Sequence, residues 1–156
     1  MFWVRVDNRL VHGQVIEGWL PYLRAKVLVV LNDDLAGDAL RQEIMGLAIP
    51  PRVEVVFGRV EEARKLLSGY GAEGGKKALA LLANCQDALA ALETGLDISS
   101  INIGNLHYGP GKTQICTHAA VSEDDIRCLS EISGMGVELD FRCIPSEQVQ
   151  VKKVWN

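Results

Sequence analysis

Arg5, Asp7, Arg9 and His12 crowd into one stretch, RVDNRLVHGQV at Arg5–Val15. An imidazole followed at once by a glycine can serve as a base, a metal ligand or a nucleophile, and its neighbours choose between these roles. A zinc site needs three or four ligands. The other histidines, His107 and His118, stand at no i, i+4 spacing to His12 or to each other, so the sequence points to no metal. A phosphoryl acceptor needs a reachable ring nitrogen, a guanidinium for the equatorial oxygens and backbone donors. His12, Arg9 and the start of the following helix supply that set. A guanidinium–phosphate contact contributes about 1.5 to 3 kcal/mol and a helix N-terminus about 0.3 to 2, enough to hold a phosphohistidine without trapping it. A lone histidine near a helix start is more often a cap or a surface group, and the residues alone leave both readings open. On the same footing, Asp7 is a carboxylate that satisfies backbone donors or pairs with Arg5.

The elements that must position these groups are legible from hydrophobic period. Short apolar runs recur as FWVRV, KVLVVL (Lys26–Leu31), RVEVVF (Arg52–Phe57), KALALLA (Lys77–Ala83), SSINIG (Ser99–Gly104) and GVELDFRCI (Gly136–Ile144), and they read as strands. Between them GQVIEGWLPYLRA, DDLAGDALRQEIMGLA, VEEARKLLSGY, CQDALAALETG and SEDDIRCLSEISGMG carry a helical period. This alternation predicts an α/β protein: a mainly parallel central sheet with helices on both faces and right-handed crossovers, in a single domain spanning residues 1–156. Asp33 and Asp34 precede one helix, Asn84 caps another, and Ser122 with Glu123, Asp124 and Asp125 opens a third. Gly95 and Gly136 stand where helices should end in a left-handed residue. The glycine-rich SGYGAEGGKK reads as an exposed turn rather than a domain boundary. In an open α/β sheet reacting groups collect beyond the carboxyl ends of the strands, and Asn8–His12 forms such a loop after the first strand.

Composition narrows the function classes. A chain of 156 residues, 48% apolar, buries roughly two thirds of its unfolded surface in one core. A net charge of −4 in scattered signs argues against nucleic acid as a partner. The apolar residues before Arg5 are too few for a signal core or a membrane span, which points to the cytoplasm. Cys85, Cys116, Cys128 and Cys143 form no C-x-x-C pair and lie mostly in apolar runs, as reduced core thiols would.

RVDNRLVHGQV, with Trp19 shortly after it, resembles the opening signature of the IIB component of the mannose/fructose/sorbose family of the phosphoenolpyruvate-dependent sugar phosphotransferase system. VLVVLNDDLAGDALRQEIMGLAIPPRVEVVF is similar to that family's second strand, ND turn, helix and proline loop. INIGNLHYGPGKTQ is similar to its Asn-x-Gly-Gly…Gly-Lys-x-Gln segment, and SEDDIRCLSEISGMGVELDFRCIP also fits, so the likeness covers nearly the whole chain. It implies a phosphohistidine enzyme intermediate, in which His12 accepts a phosphoryl group from the IIA component and passes it to a sugar held by the membrane components IIC and IID. It places the active-site arginine on Arg9 and gives Asp7 the task of steadying the loop or the imidazole. It implies no cofactor, a cytoplasmic chain peripherally associated with the permease, and a homodimer. The alternative is a regulatory phosphoprotein that keeps the fold without supporting transport. The chain departs from the pattern at Gly104–Asn105, where the family has two glycines. Asn tolerates the left-handed conformation better than most residues, so the turn is expected to survive.

Other signals carry less. GPGKTQ lacks the first glycine of a phosphate-binding loop, since Leu106 stands there, and the QICTHAAV that follows reads as strand rather than helix. No G-x-G-x-x-G follows the first strand. Lys112, His107 and Tyr108 share this glycine loop, where Lys112 has either an electrostatic role or none, and His107 with Tyr108 reads as a surface pair, the alternative being contact with the phosphate or the partner component. His118 reads as structural, Trp3 and Trp19 as core, Trp155 as a packing or oligomer contact, and VQVKKVWN as a short edge strand.

Overall fold

The computed structural model describes all residues, Met1–Asn156. Strands β1 (Phe2–Asp7), β2 (Val27–Leu31), β3 (Glu54–Gly58), β4 (Ala78–Leu82), β5 (Ser100–Asn105) and β8 (Glu138–Asp140) form one sheet in the order β3-β2-β4-β1-β5-β8. Every pairing in it is parallel. The runs VLVVL and ALALL are buried throughout, as strands covered on both faces must be.

Two hydrophobic cores lie on opposite faces. The larger takes Val4 and Val6 from β1 together with α4 (Ala63–Ser68), α5 (Cys85–Glu93) and α6 (Glu123–Gly134). The smaller takes Val15, Trp19, Leu20 and Leu23 from a π-helical segment, Gln14–Trp19, and the α1 turn that continues it, Leu20–Leu23, and also Leu35 of α2 (Asp33–Ala36). From β1 the chain crosses one face to β2, and from β4 it crosses the other face to β5. Loops leaving the adjacent strands β1 and β4 therefore diverge, which opens a crevice at their carboxyl ends.

The α/β architecture expected from the periodicity is the one observed, with local differences. The helix read across Asp33–Ala48 is broken into α2 and α3 (Ala39–Gly46). Asn32 caps the first by accepting from Leu35 N at 3.1 Å, so Asp33 and Asp34 lie in its first turn rather than before it, and Asp38 caps the second by accepting from Arg41 N at 3.1 Å. Asn84 caps α5 and Ser122 forms a capping box with Asp125 on α6, as anticipated. Gly95 and Gly136 are left-handed, at φ 93° and 82°. The segment read as one strand in QICTHAAV is instead an antiparallel hairpin of β6 (Thr113–Cys116) and β7 (Ala119–Val121). His118, read as structural, sits at its turn, partly buried, with Nε2 3.4 Å from Glu147 Oε1.

The last strand is far shorter than the expected Gly136–Ile144, because side chains take over the ladder after Asp140. Asp140 Oδ1 accepts from Arg142 N at 3.1 Å, and Glu147 Oε2 accepts from Cys143 N at 2.7 Å, which turns Arg142 and Cys143 back across the sheet. The C-terminal VQVKKVWN forms no strand. Its Val149, Val151, Val154 and Trp155 pack on the larger core, with Trp155 stacked on Phe141 at 5.2 Å between ring centroids.

Candidate functional site

Alternation along β1 decides the site. Val4 and Val6 face the larger core, so Trp3, Arg5 and Asp7 project to the other face, beneath the π-helical segment and its preceding loop. The same parity on β5 and β8 brings Asn102 and Asp140 alongside. Arg5 and Asp7 are fully buried, and charges so placed persist only when paired and hydrogen-bonded.

Asp7 is the hub. Its Oδ2 accepts from Arg5 at 2.8 Å, from Arg9 at 2.9 Å and from Nε2 of His12 at 2.8 Å. Its Oδ1 accepts from the backbone N–H and the Nε–H of Arg9, both at 3.0 Å. Burial alone would raise its pKa, but hydrogen bonds from His12 and Arg9 and the charge of Arg5 outweigh that and hold the carboxyl well below its ordinary 3.8. An ionised carboxylate only accepts, so Nε2 carries a hydrogen toward Asp7, and in the neutral ring the lone pair then lies on Nδ1. Nδ1 receives the Gln14 N–H at 3.3 Å.

The loop that folds His12 back over Asp7 contains Leu10 at φ 56°, a left-handed conformation costing a non-glycine residue on the order of 1 kcal/mol or more. Burial of the Leu10 side chain in the smaller core and its N–H bond to the Asp7 carbonyl at 2.9 Å hold it there.

Arg5 buttresses the carboxylate from below. One guanidinium nitrogen donates to Asn102 Oδ1 at 2.6 Å, and the group lies 5.1 Å from the Trp19 ring centroid. Asn102 in turn donates to the Arg142 carbonyl at 2.9 Å, and Trp19 donates from Nε1 to the Cys143 carbonyl at 2.8 Å. Across β5, a Cβ on Gly104 would stand 2.0 Å from Arg5 Cζ. The strand is bulged there, pairing Val6 with Ile103 and Asp7 with Asn105. This corrects the expectation of a left-handed turn at Gly104–Asn105: neither residue has positive φ, and the glycine is needed for space. Asn105 bonds to the Asn8 side chain and ties the loop to β5.

Arg9 leaves 35% of its side chain in solvent, and its pairing with Asp7 raises an already high pKa, so an always-charged fork sits at the edge of the site. Gln14 Oε1 accepts from Arg9 at 3.0 Å and from Cys143 Sγ at 3.1 Å. The structure thus brings together Asp7, Arg9 and His12, the residues singled out in sequence. Asp7 both pairs with Arg5 and fixes the imidazole. Lys112, by contrast, donates to the His107 carbonyl at 3.1 Å, and Tyr108 is exposed. None of Lys112, His107 and Tyr108 bonds to Asp7, Arg9 or His12. Sequence reasoning passed over Asn102, Gln14 and Cys143. A polar residue on the parity of Arg5 in the neighbouring strand was the only available signal for Asn102, and nothing marked Cys143.

No group of three or more His, Cys, Asp or Glu side chains is placed to hold a metal ion, and no helix is long and apolar enough to cross a membrane. Residues 1–155 match the family described as PTS system sorbose subfamily IIB component. The chain belongs to this family. It is 30% identical to the sorbose-specific EIIB component of Klebsiella pneumoniae over 143 residues, covering 92% of this chain and 87% of that protein. It is also 32% identical to the N-acetylgalactosamine-specific phosphotransferase enzyme IIB component 1 of Escherichia coli over 146 residues, covering 92% and 90%. Another relative, the mannose-specific EIIAB component of Escherichia coli, is 29% identical over 145 residues, which are 92% of this chain and 44% of that protein. The solved structure of the N-acetylgalactosamine-specific IIB component 1 from Escherichia coli superposes with a TM-score of 0.89 at 29% identity, covering 98% of this chain and all of that one. The IIB domain of the Klebsiella pneumoniae sorbose permease superposes with a TM-score of 0.84 at 28% identity over 96% and 92%. The parallel sheet and its crossovers are therefore those of the sugar phosphotransferase IIB components.

Proposed function

We propose that the chain is a single-domain phosphocarrier, residues 1–156, in which Nδ1 of His12 accepts a phosphoryl group from a phosphorylated IIA component and passes it to a sugar handled by IIC and IID membrane components. The observation that carries this reading is the Asp7–His12 hydrogen bond, which puts the ring hydrogen on Nε2 and leaves Nδ1 as the nucleophile. In the forward step the Nδ1 lone pair forms a bond to phosphorus as the donor's P–N bond breaks. The donor keeps that electron pair, and Asp7 balances the positive charge that develops on the His12 ring.

Arg9 is the phosphoryl-binding residue in this scheme. Its Nε and one terminal nitrogen are held by Asp7, which leaves the other terminal nitrogen for an equatorial oxygen. The Gln14 N–H, held only by a long contact to Nδ1, swings to a phosphoryl oxygen once Nδ1 is occupied. A buried anion beside the ring also keeps the phosphohistidine from being overstabilised, because the carboxylate and the phosphoryl group repel, and both directions of transfer stay open. The E. coli mannose relative is named an EIIAB component, which supports a IIA chain as phosphoryl donor. The sugar stays unassigned, since the relatives' names differ among sorbose, fructose, mannose and N-acetylgalactosamine.

The test is transfer of labelled phosphate from phosphoenolpyruvate through the general phosphotransfer proteins and a cognate IIA to the intact chain and to His12→Ala. Acid-labile label on the intact chain alone supports the assignment. Label that persists in His12→Ala refutes it.

A further inference from the structure

Behind the Asp7 network lies a cavity of about 440 Å³, between the α1 turn and the α1-facing side of β1, β4, β5 and β8. None of Asp7, Arg9 and His12 lines it. Arg5 closes its inner end and Trp3, Trp19 and Tyr22 supply aromatic wall. The Arg5 Nε is the one buried side-chain polar atom in the chain with no hydrogen-bond partner, and a buried donor in that condition is strongly disfavoured.

Charge sets the ligand class. Four cations line the cavity, Arg5, Arg24, Lys77 and Arg142, against one carboxylate, Asp140. Arg5 is neutralised by Asp7 and Arg142 by Asp140, so two positive charges, on Arg24 and Lys77, have no ionic partner. Together they offer a ligand at the cavity two positive charges, which a dianion matches, and a phosphate monoester carries close to two negative charges at neutral pH. The volume falls within the range of small-molecule sites and exceeds what inorganic phosphate fills, and Trp3 offers a ring face to a ligand, whereas Trp19 and Tyr22 already face the Arg5 and Arg142 guanidiniums. Arg24 is moreover held in a left-handed backbone conformation, φ 54°, that a glycine would adopt without strain.

We propose that this cavity binds a small phosphate monoester with a ring-shaped body, of the class that includes phosphorylated sugars. A ligand there touches the same Arg5 that supports Asp7, so its binding reaches the His12 ring through the Arg5–Asp7–His12 chain of bonds. The binding stands without the phosphocarrier reading; only its meaning, a product reporting back on the carrier, rests on it.

The experiment needs no phosphotransfer, so its failure is distinct from failure of that reading. A hexose 6-phosphate, the free hexose and inorganic phosphate are each titrated into the full chain, with tryptophan fluorescence and calorimetry as readouts and the His12 ring resonances followed by NMR. The hexose phosphate is expected to bind saturably and more tightly than either fragment and to move the His12 resonances. The double variant R24G/K77A is expected to bind it about tenfold or more weakly while folding normally, because Arg24→Gly relieves backbone strain and Lys77 is exposed. Three results would overturn the proposal: no saturable binding at millimolar concentration, equal affinity for inorganic phosphate, or undiminished binding in the double variant. Saturable binding with unmoved His12 resonances would overturn the link through Arg5.

Discussion

Replacing Asp7 by Asn separates the charge of the hub from its shape. The carboxylate takes three hydrogen bonds on one oxygen and two on the other, all from donors. An amide has one accepting end, so either orientation aims an NH₂ group at donors. Arg5, whose side chain has no exposure, loses its only ionic partner. Leaving a buried charge unpaired costs about 3 to 5 kcal/mol, and at about 2 to 4 °C per kcal/mol for a chain of this size Tm should fall by roughly 6 to 20 °C. Loss of the carboxylate also releases the hydrogen from Nε2, and rate losses of about 10² to 10⁴ attend removal of a group that fixes a catalytic imidazole. Thermal unfolding and rapid-quench phosphorylation by phospho-IIA measure the two effects. The pH dependence adds a third. Asp7 has a depressed pKa in the folded chain, so its stabilisation is fully present above the unfolded value of about 3.9 and is lost as pH falls below it toward the lower native value. Wild type should therefore lose stability below about pH 4 more steeply than Asp7→Asn. A variant that melts with wild type, or is phosphorylated within about twofold of its rate, would refute the reasoning.

Gly104→Ala should destabilise by about 2 kcal/mol or more in urea titration, because the added methyl overlaps the Arg5 guanidinium rather than a mobile chain end. Arg9→Lys should lower the rate of phosphoryl acceptance by about tenfold or more, read by quench-flow, since an ammonium cannot hold both Asp7 oxygens and a phosphoryl oxygen with one fork. Arg24→Gly should raise stability by about 0.5 to 1 kcal/mol in denaturant unfolding, by relieving the left-handed backbone at the end of α1.

Much of this could be read in advance, for reasons that differ by residue. The strands of VLVVL and ALALL are buried on both faces, so their apolar runs are unambiguous, and Asn84 and Ser122 are caps whose bonding is local. His12, Arg9 and Asp7 lie on one loop, close enough in sequence for their chemistry to be seen together. Asn102 and Cys143 reach the site only through strand pairing and the return of the chain after Asp140, neither of which leaves a periodic trace. The shortened β8 escaped because Asp140 and Glu147 replace backbone partners with side-chain oxygens. The role of Gly104 escaped because it depends on the volume of a side chain in the neighbouring strand and not on its own φ.

The measurement that bears most directly on the account is assignment of the phosphorylated nitrogen by ¹⁵N-resolved NMR of the histidine rings after transfer from phospho-IIA. The expected result is a single phosphohistidine, His12, carrying the group on Nδ1 with Nε2 still protonated toward Asp7. Phosphate on Nε2, or on any residue other than His12, would contradict it.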